Sequence, residues 1–128
     1  MRTVVELASF IRASERCGLS ADGVSLLIGE LASNPKAGDE MPGTGGCRKL
    51  RLAGRGKGKS GGYRVITFYS GREIPLFLIT VYAKGERANL TKAECNDLKK
   101  LTAQLSETYR KNQRKLHHGQ EASVRRHR

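Results

Sequence analysis

The side chains with the greatest capacity for chemistry lie in a basic segment, residues 41–72, which contains eight lysine or arginine residues and no acidic residue. Its core reads GTGGCRKLRLAGRGKGKSGGYR. Glycines let the backbone approach a ligand closely, and clustered cations match the repeating charge of a phosphodiester chain. The segment therefore predicts a site for a polyanion. RNA is the preferred ligand, and its cleavage is the expected chemistry.

Cleavage of RNA by its own 2′-hydroxyl requires a base for that hydroxyl, positive charge near the five-coordinate phosphorus, and an acid for the leaving 5′-oxygen. Arginine suits the electrostatic role because it stays protonated and binds two phosphate oxygens at once. Lysine can exchange a proton where neighbouring cations lower its pKa towards neutrality. The histidines His117, His118 and His127 are C-terminal and distant from the basic segment. Lysine and arginine side chains are therefore the candidates for RNA cleavage.

Alternating residue types indicate three β-strands that would carry the cations. From Cys47, Leu50 and Leu52 alternate with Lys49 and Arg51, which is the period of a strand with one polar face. Further strands are expected over residues 63–69 and 76–83, where aromatic and β-branched residues are frequent.

We expect five side chains on or next to these strands to converge on one concave sheet surface that binds phosphate. They are Lys49, Arg51, Arg64, Tyr82 and Lys84. Strict alternation assigns one face of strand 76–83 to Phe77, Ile79, Val81 and Ala83. It assigns the other face to Leu76, Leu78, Thr80 and Tyr82.

A basic loop connects the first two of these strands, and in it Arg55, Lys57 and Lys59 alternate with glycine. We interpret it as a mobile arm that lies along a nucleic-acid backbone. Residues 53–60 come within one residue of the P-loop pattern, with Ala53 where glycine is required. A P-loop must open a helix, whereas the β-rich sequence YRVITFY follows here, so nucleotide hydrolysis is disfavoured.

Helical patterns frame the strands. Apolar residues at helical spacing predict two N-terminal helices, the second capped by Ser20 and ended before Pro35, although a short starting strand also fits the first residues. Thr91 and Glu94 form a capping box that predicts a final helix. We expect a single domain over residues 1–115 and a basic, disordered tail over 116–128.

Composition narrows the class of protein further. The chain of 128 residues has a formal net charge of +12 and no apolar run long enough to cross a membrane, which favours a cytoplasmic protein with an anionic partner. The three cysteines Cys17, Cys47 and Cys95 are far apart and lack the C-x-x-C spacing of metal or redox sites. We expect reduced, half-buried thiols, and neither a metal nor a cofactor.

Two stretches, NPKAGDEMPGTGGCRKLRLAGRGKGKSGGYRVITFY and LITVYAKGERANLT, resemble the HigB-type branch of the RelE/ParE superfamily, the toxins of bacterial type II toxin–antitoxin modules. The resemblance covers roughly residues 34–105. It rests on the NPK-x-GD connector, the GTGG-x-RK-x-R strand, the GKGK-x-GG loop and the Y-x-K-x-E turn, in that order.

The resemblance implies a RelE-like α+β fold, with two N-terminal helices packed on a small twisted antiparallel β-sheet and a C-terminal helix that can move. It implies a ribosome-dependent mRNA interferase that stops translation by cutting mRNA in the decoding site. It also implies a cognate HigA-like antitoxin with a helix-turn-helix domain.

Residue by residue, Arg64 matches the arginine of the family's G-Y-R strand start, which is expected to contact the scissile phosphate. The implied catalytic candidates are Arg64, Lys84, Lys57 and Lys59. The RNA-binding candidates are Lys49, Arg51, Arg55, Arg48 and Tyr82. One departure is that Gly85 follows Lys84 where RelE proper has an arginine, and no tyrosine follows until Tyr109.

Two other functions compete with RNA cleavage. ParE-type members of the same superfamily inhibit DNA gyrase and cut nothing, but a gyrase inhibitor has no need for clustered phosphate ligands. A noncatalytic RNA-binding module would usually interleave stacking aromatic residues with its cations, and aromatic residues make up only 5% of this chain. A further alternative concerns the loop cations alone, which would then only keep the protein soluble and bind no ligand.

Overall fold

The structure, a computed structural model, describes residues 3–53, 62–71, 73–86 and 89–117, with side chains as far as Lys111. In chain order the elements are β1 (Val4–Glu6), α1 (Ala8–Arg16), α2 (Ala21–Ser33), β2 (Asp39–Glu40), β3 (Cys47–Leu52), β4 (Tyr63–Phe68), β5 (Leu76–Ala83) and α3 (Lys92–His117). The predicted α+β class is confirmed. The predicted bounds of β5 match the structure, and β4 ends one residue earlier than expected.

The five strands form one sheet in the order β1-β5-β4-β3-β2. Its pairs are antiparallel except for β1, which runs parallel to β5 with Val4 beside Leu76. The expectation of a wholly antiparallel sheet is therefore wrong. The alternative of a short starting strand is correct, and α1 begins only at Ala8.

The sequence pattern did not predict β2, which begins at the end of the NPK-x-GD connector. Asp39 pairs with Lys49 and Glu40 with Arg48. The preceding Gly38 has a φ of +96°, and a Cβ there would meet the Lys49 carbonyl oxygen at 2.7 Å. Glycine thus lets the connector approach β3 closely enough to pair with it.

The sheet carries a core cluster on each face. The α1/α2-side cluster includes Phe10, Leu27, Leu31, Val65, Leu76, Leu78 and Val81. The α3-side cluster includes Cys47, Ile66, Phe68, Phe77, Ile79, Tyr82 and Leu98. The final helix therefore covers the face opposite the two N-terminal helices.

One extra residue in β5 changes the faces that strict alternation assigned. Ile66 pairs with Thr80 but Thr67 pairs with Leu78, so Ile79 is a β-bulge. After the bulge, Val81 lies with Leu78 in the α1/α2-side cluster and Tyr82 lies in the α3-side cluster. The predicted face sharing of Leu78 with Tyr82 is therefore wrong. The Ser9 hydroxyl donates to the bulge carbonyl of Ile79 at 2.6 Å, which helps to satisfy the disrupted ladder.

Helix α3 is held at its start and in its middle. The predicted capping box is present, since the Glu94 N–H donates to Thr91 Oγ1 at 3.1 Å and the Thr91 N–H to Glu94 Oε1 at 2.8 Å. The buried Thr102 hydroxyl lies 3.2 Å from the carbonyl oxygen of Thr44 in the GTGG turn. The helix extends to His117, two residues beyond the predicted domain end at 115, and residues 118–128 lie outside the described part.

Candidate nucleic-acid interface

Two arginines on neighbouring strands stand directly opposite each other. Register pairs Arg51 of β3 with Arg64 of β4, and Arg64 in turn with Tyr82 of β5. Directly opposed residues on one sheet face have Cβ atoms about 4.5–5.5 Å apart. Arg51, Arg64 and Tyr82 therefore form a row across the sheet, which we call the cross-strand row.

The members of the cross-strand row differ in exposure. Arg51 is exposed, and Arg64 is half-buried, with its Nη1 3.4 Å from the Tyr63 carbonyl oxygen. Tyr82 is only 6% exposed and packs in the α3-side cluster. That Tyr82 binds RNA stays a prediction, and in this structure its ring is covered by the α3-side cluster. Tyr82 packs beside Arg64 and supports it.

Lys49 lies on the same sheet face as Arg51, two residues along β3. Its Nζ donates to Asn89 Oδ1 at 3.4 Å, a long contact, and its side chain is half-buried. Lys84 follows the last residue of β5 and is exposed, with its N–H donating to the Gly62 carbonyl oxygen at 3.1 Å. The structure thus brings Lys49, Arg51, Arg64 and Lys84 to the same end of the sheet.

Arg48 does not join this group. It alternates with Lys49, so its side chain lies on the opposite face, where Nη2 is 3.9 Å from Glu40 Oε2 and Nη1 is 3.4 Å from the Gly38 carbonyl oxygen. Only 21% of its side chain is exposed. That Arg48 binds RNA stays a prediction, but strand alternation turns its side chain away from Lys49 and Arg51 and towards the Glu40 carboxylate.

The loop candidates Arg55, Lys57 and Lys59 lie outside the described residues. The residues that flank the loop are described, and both are at the end of the sheet that carries the cross-strand row. Ala53 follows β3 directly, and Gly62 precedes β4 and bonds to the Lys84 N–H. The strand that follows the loop is β4, which agrees with our argument against a P-loop.

The arrangement places two arginines directly opposite each other at one end of the sheet. Opposed like charges destabilise a sheet, and a bound phosphate between two guanidinium groups would remove that cost through charge-assisted hydrogen bonds. In the described part of the chain, no group of three or more His, Cys, Asp or Glu side chains could hold a metal ion. The chemistry available to these residues is therefore anion binding and proton exchange.

The thiols do not add a nucleophile to this arrangement. All three cysteines are free, as predicted, with Cys47 buried and Cys17 and Cys95 half-buried. Burial raises the pKa of Cys47 to about 11, partly offset by the hydrogen bond from its Thr44 partner, and burial also raises the pKa of Cys17. Both thiols therefore stay protonated near neutral pH, which makes them poor nucleophiles.

Sequence reasoning missed a pocket beside Lys49. It lies between β2, the residues that follow it and the start of α3, and its polar lining includes Asp39, Glu40 and Asn89 besides Lys49. Neither Asp39 nor Asn89 carries a local signal, because both reach Lys49 only through pairing and packing across 10 and 40 residues of sequence. The irregular turn at 89 and the unrecognised β2 concealed the pocket.

A small α+β protein with clustered arginines at one end of its sheet is suited to binding anionic polymers. The family model described as "RelE toxin of RelE / RelB toxin-antitoxin system" matches residues 10–123. The match covers most of the chain, and the chain therefore belongs to the RelE toxin family. A toxin of this family has an antitoxin as its partner. No helix in the described residues is long and apolar enough to cross a membrane.

Proposed function

We propose that this chain is a ribosome-dependent mRNA interferase of the HigB type, the toxin of a type II toxin–antitoxin module. The observation that carries the proposal is the register that sets Arg51 opposite Arg64, next to Lys49 and Lys84. Membership in the RelE toxin family supports the toxin role. The clustered cations support a nucleic-acid substrate over a protein target.

In the proposed mechanism, Arg64 contacts the scissile phosphate and stabilises the charge that builds up on it. Arg64 occupies the centre of the cross-strand row, supported by Tyr82 on one side and accompanied by Arg51 on the other. A guanidinium suits this role because it binds two phosphate oxygens in a fork and stays charged. Pre-placed charge of this kind is usually the largest contribution to catalysis.

Proton transfer in this proposal belongs to lysine. Lys84 is exposed at the end of β5, next to the residues that flank the basic loop. Lys57 and Lys59 of that loop are the other candidates. Lys49, Arg51 and Arg55 then bind the RNA backbone on either side, and the reaction proceeds with neither metal nor cofactor.

The proposed partners follow from the same assignment. The ribosome holds the mRNA in its decoding site and presents it to the toxin, in the cytoplasm. A HigA-like antitoxin with a helix-turn-helix domain neutralises the toxin and represses the operon.

Substitution of Arg64 by alanine tests the proposal. In a translating extract, we expect Arg64→Ala to reduce new mRNA ends by at least about 100-fold, the scale of losing a principal transition-state contact. Primer extension on a translated transcript measures the ends. Arg48→Ala is the matched control, because it removes an arginine of β3 that lies on the other face, and we expect it to cut within a few-fold of wild type.

The same extract separates the two rival functions. A gyrase inhibitor would leave the transcript intact and block DNA supercoiling, and a noncatalytic RNA-binding module would arrest translation without new ends. Either result with the wild-type protein would overturn the proposal. Full activity of Arg64→Ala would remove Arg64 from the mechanism.

A further inference from the structure

The pocket beside Lys49 has the size of a site for one planar ring system. Its volume is about 220 Å³, below the range of about 300–1,000 Å³ that is typical for drug-sized ligands. Apolar side chains of Met41, Pro42 and Leu90 form part of its wall. Such a wall favours an aromatic ring over a hydrated ion.

Two acidic residues line this pocket, Asp39 and Glu40, and they differ in their partners. Asp39 pairs with Lys49 across β2 and β3, so the two side chains lie on the same sheet face, and both line the pocket. The neighbouring Glu40 pairs with Arg48 and turns to the other face, where the two side chains form their 3.9 Å ion pair. Among the residues that the structure describes, no ion pair neutralises Asp39.

The remaining polar groups complement the carboxylate. Asn89 accepts the Lys49 ammonium through Oδ1, which leaves the two N–H groups of its amide as donors. An ionised Asp39 only accepts hydrogen bonds, and its two oxygens lie side by side. The pocket therefore offers two adjacent acceptors together with amide and ammonium donors.

Guanine is the base whose edge fits this set. Its Watson–Crick edge presents two adjacent donors, N1–H and N2–H₂, next to the O6 acceptor. Adenine and cytosine each present one exocyclic amine and no neighbouring N–H donor, and uracil presents a single N–H between two carbonyls. Unstacked bases of single-stranded RNA are recognised on this edge.

The pocket also lies within one nucleotide of the cross-strand row. Lys49 and Arg51 are two residues apart on one face of β3, so about 7 Å separates them along the strand. A phosphate held at Arg51 and Arg64 would place the base of an adjoining nucleotide beside Lys49. Lys49 thus lies between the phosphate position at the cross-strand row and the pocket.

We propose that this pocket binds a guanine base next to the phosphate held by the cross-strand row, with Asp39 accepting from N1–H and N2–H₂. The inference deepens the proposed function and rests on it for the position of the phosphate. It makes Asp39 a specificity-determining residue that takes no part in the chemical step.

Mapping of cut sites on a translated transcript of mixed sequence tests the pocket. The wild-type protein should cut with guanine enriched at one fixed position beside the cleaved bond. Asp39→Asn should reduce the guanine preference about 10-fold, the discrimination of one bidentate base contact. Glu40→Gln is the matched control, because it neutralises the other acidic residue of the pocket lining, whose carboxylate lies 3.9 Å from Arg48, and its guanine preference should remain.

A second measurement needs neither the ribosome nor cleavage. Cys95 lines the same pocket, so guanosine 5′-monophosphate at millimolar concentration should slow its alkylation by iodoacetamide, with Cys17 as the internal reference. Adenosine and cytidine monophosphates should not protect it, and Asp39→Asn should abolish the protection by the guanine nucleotide.

The two measurements separate the failure of the pocket from that of the proposed function. Cleavage without a guanine bias, or with a bias that Asp39→Asn leaves unchanged, overturns the pocket and leaves the nuclease intact. Selective protection of Cys95 by a protein that makes no cuts overturns the nuclease and keeps the guanine site. Absence of both cleavage and Cys95 protection overturns both proposals.

Discussion

Arg51 and Arg64 face each other across two strands although like charges in that position cost stability. A sheet selected only for stability would carry opposite charges or a hydrophobic pair here. In the proposed function, a bound phosphate would offset this local cost. Many proteins retain such costs where a ligand site requires them.

Replacement of Arg51 by glutamine should consequently stabilise the free protein. We expect the free energy of unfolding to rise by about 0.5 kcal/mol, since it relieves one opposed like-charge pair. The gain should shrink as salt screens the repulsion. Urea denaturation at low and high ionic strength measures both effects, and RNA binding should weaken in the same variant.

Arg48→Gln serves as the control for Arg51→Gln. It removes a cation from the same strand, but one that is paired with Glu40, so stability should stay equal or fall slightly. If Arg51→Gln destabilises the protein as Arg48→Gln does, the two opposed arginines do not repel each other in the folded state.

Among the elements, α3 depends on a buried threonine for its attachment. The Thr102 hydroxyl lies within hydrogen-bond distance of the carbonyl oxygens of Thr44 and Lys99, and Thr44 itself is fully buried. Gly45 has a φ of +77°, and a Cβ there would collide with Thr102 Oγ1. The GTGG turn is thus shaped to bring β3 and α3 together at one point.

Thr102→Val should loosen α3 while keeping the side-chain volume. The change leaves the Thr44 carbonyl oxygen buried without this donor, which costs about 1–3 kcal/mol. We expect lower unfolding free energy and faster hydrogen exchange in α3 than in β4. Thr108→Val is the control, because Thr108 is exposed on the same helix, and it should change neither quantity measurably. Equal exchange in both variants would contradict the anchoring role.

Sequence patterns predicted well those features that depend only on neighbouring residues. The Ser20 cap, the Thr91 and Glu94 capping box and the alternation in β3 depend on neighbours within a few residues, and the structure contains all three. β2 and the bulge at Ile79 depend on pairing between distant segments, so no local pattern specifies them. The wrong face sharing of Leu78 with Tyr82 follows directly, because one inserted residue exchanges the two faces of a strand.

For the candidate site, the sequence predicted which residues take part better than it predicted which face of the sheet each side chain occupies. The cations Lys49, Arg51, Arg64 and Lys84 come together as expected because strand alternation and the order of hairpins suffice to place them. Arg48 was assigned to the same group on its charge, although alternation alone turns it away. Asp39 and Asn89 have no signal in the sequence, since only the folded sheet brings them to Lys49.

At the scale of the whole molecule, the junction between sheet and α3 should be sensitive to alkaline pH. Cys47 is fully buried in the α3-side cluster, and burial raises its pKa from 9.0 to about 11. Between these values the unfolded chain releases the proton and the folded chain retains it. The buried neutral thiol therefore adds about 2–3 kcal/mol to the free energy of unfolding below pH 9. This stabilisation is lost as pH rises through 11.

Chemical denaturation at a series of pH values between 8 and 11 measures this slope. Cys47→Ala should be less stable than wild type at pH 8, because it leaves a small cavity, but should lose less stability on going to pH 11. Parallel curves for the two proteins would show that lysine and tyrosine titration, common to both, accounts for the alkaline loss.

The parallel pairing of β1 with β5 places the first strand beside the last, with Val4 next to Leu76. A growing polypeptide leaves the ribosome from its N-terminus, so β1 has no pairing partner until β5 has also emerged. The sheet therefore cannot close around β1 until β5 has been synthesised, whereas the pairing of Arg51 with Arg64 belongs to the earlier β3–β4 hairpin. Vectorial synthesis thus makes closure of the sheet a late event in the folding of the nascent chain.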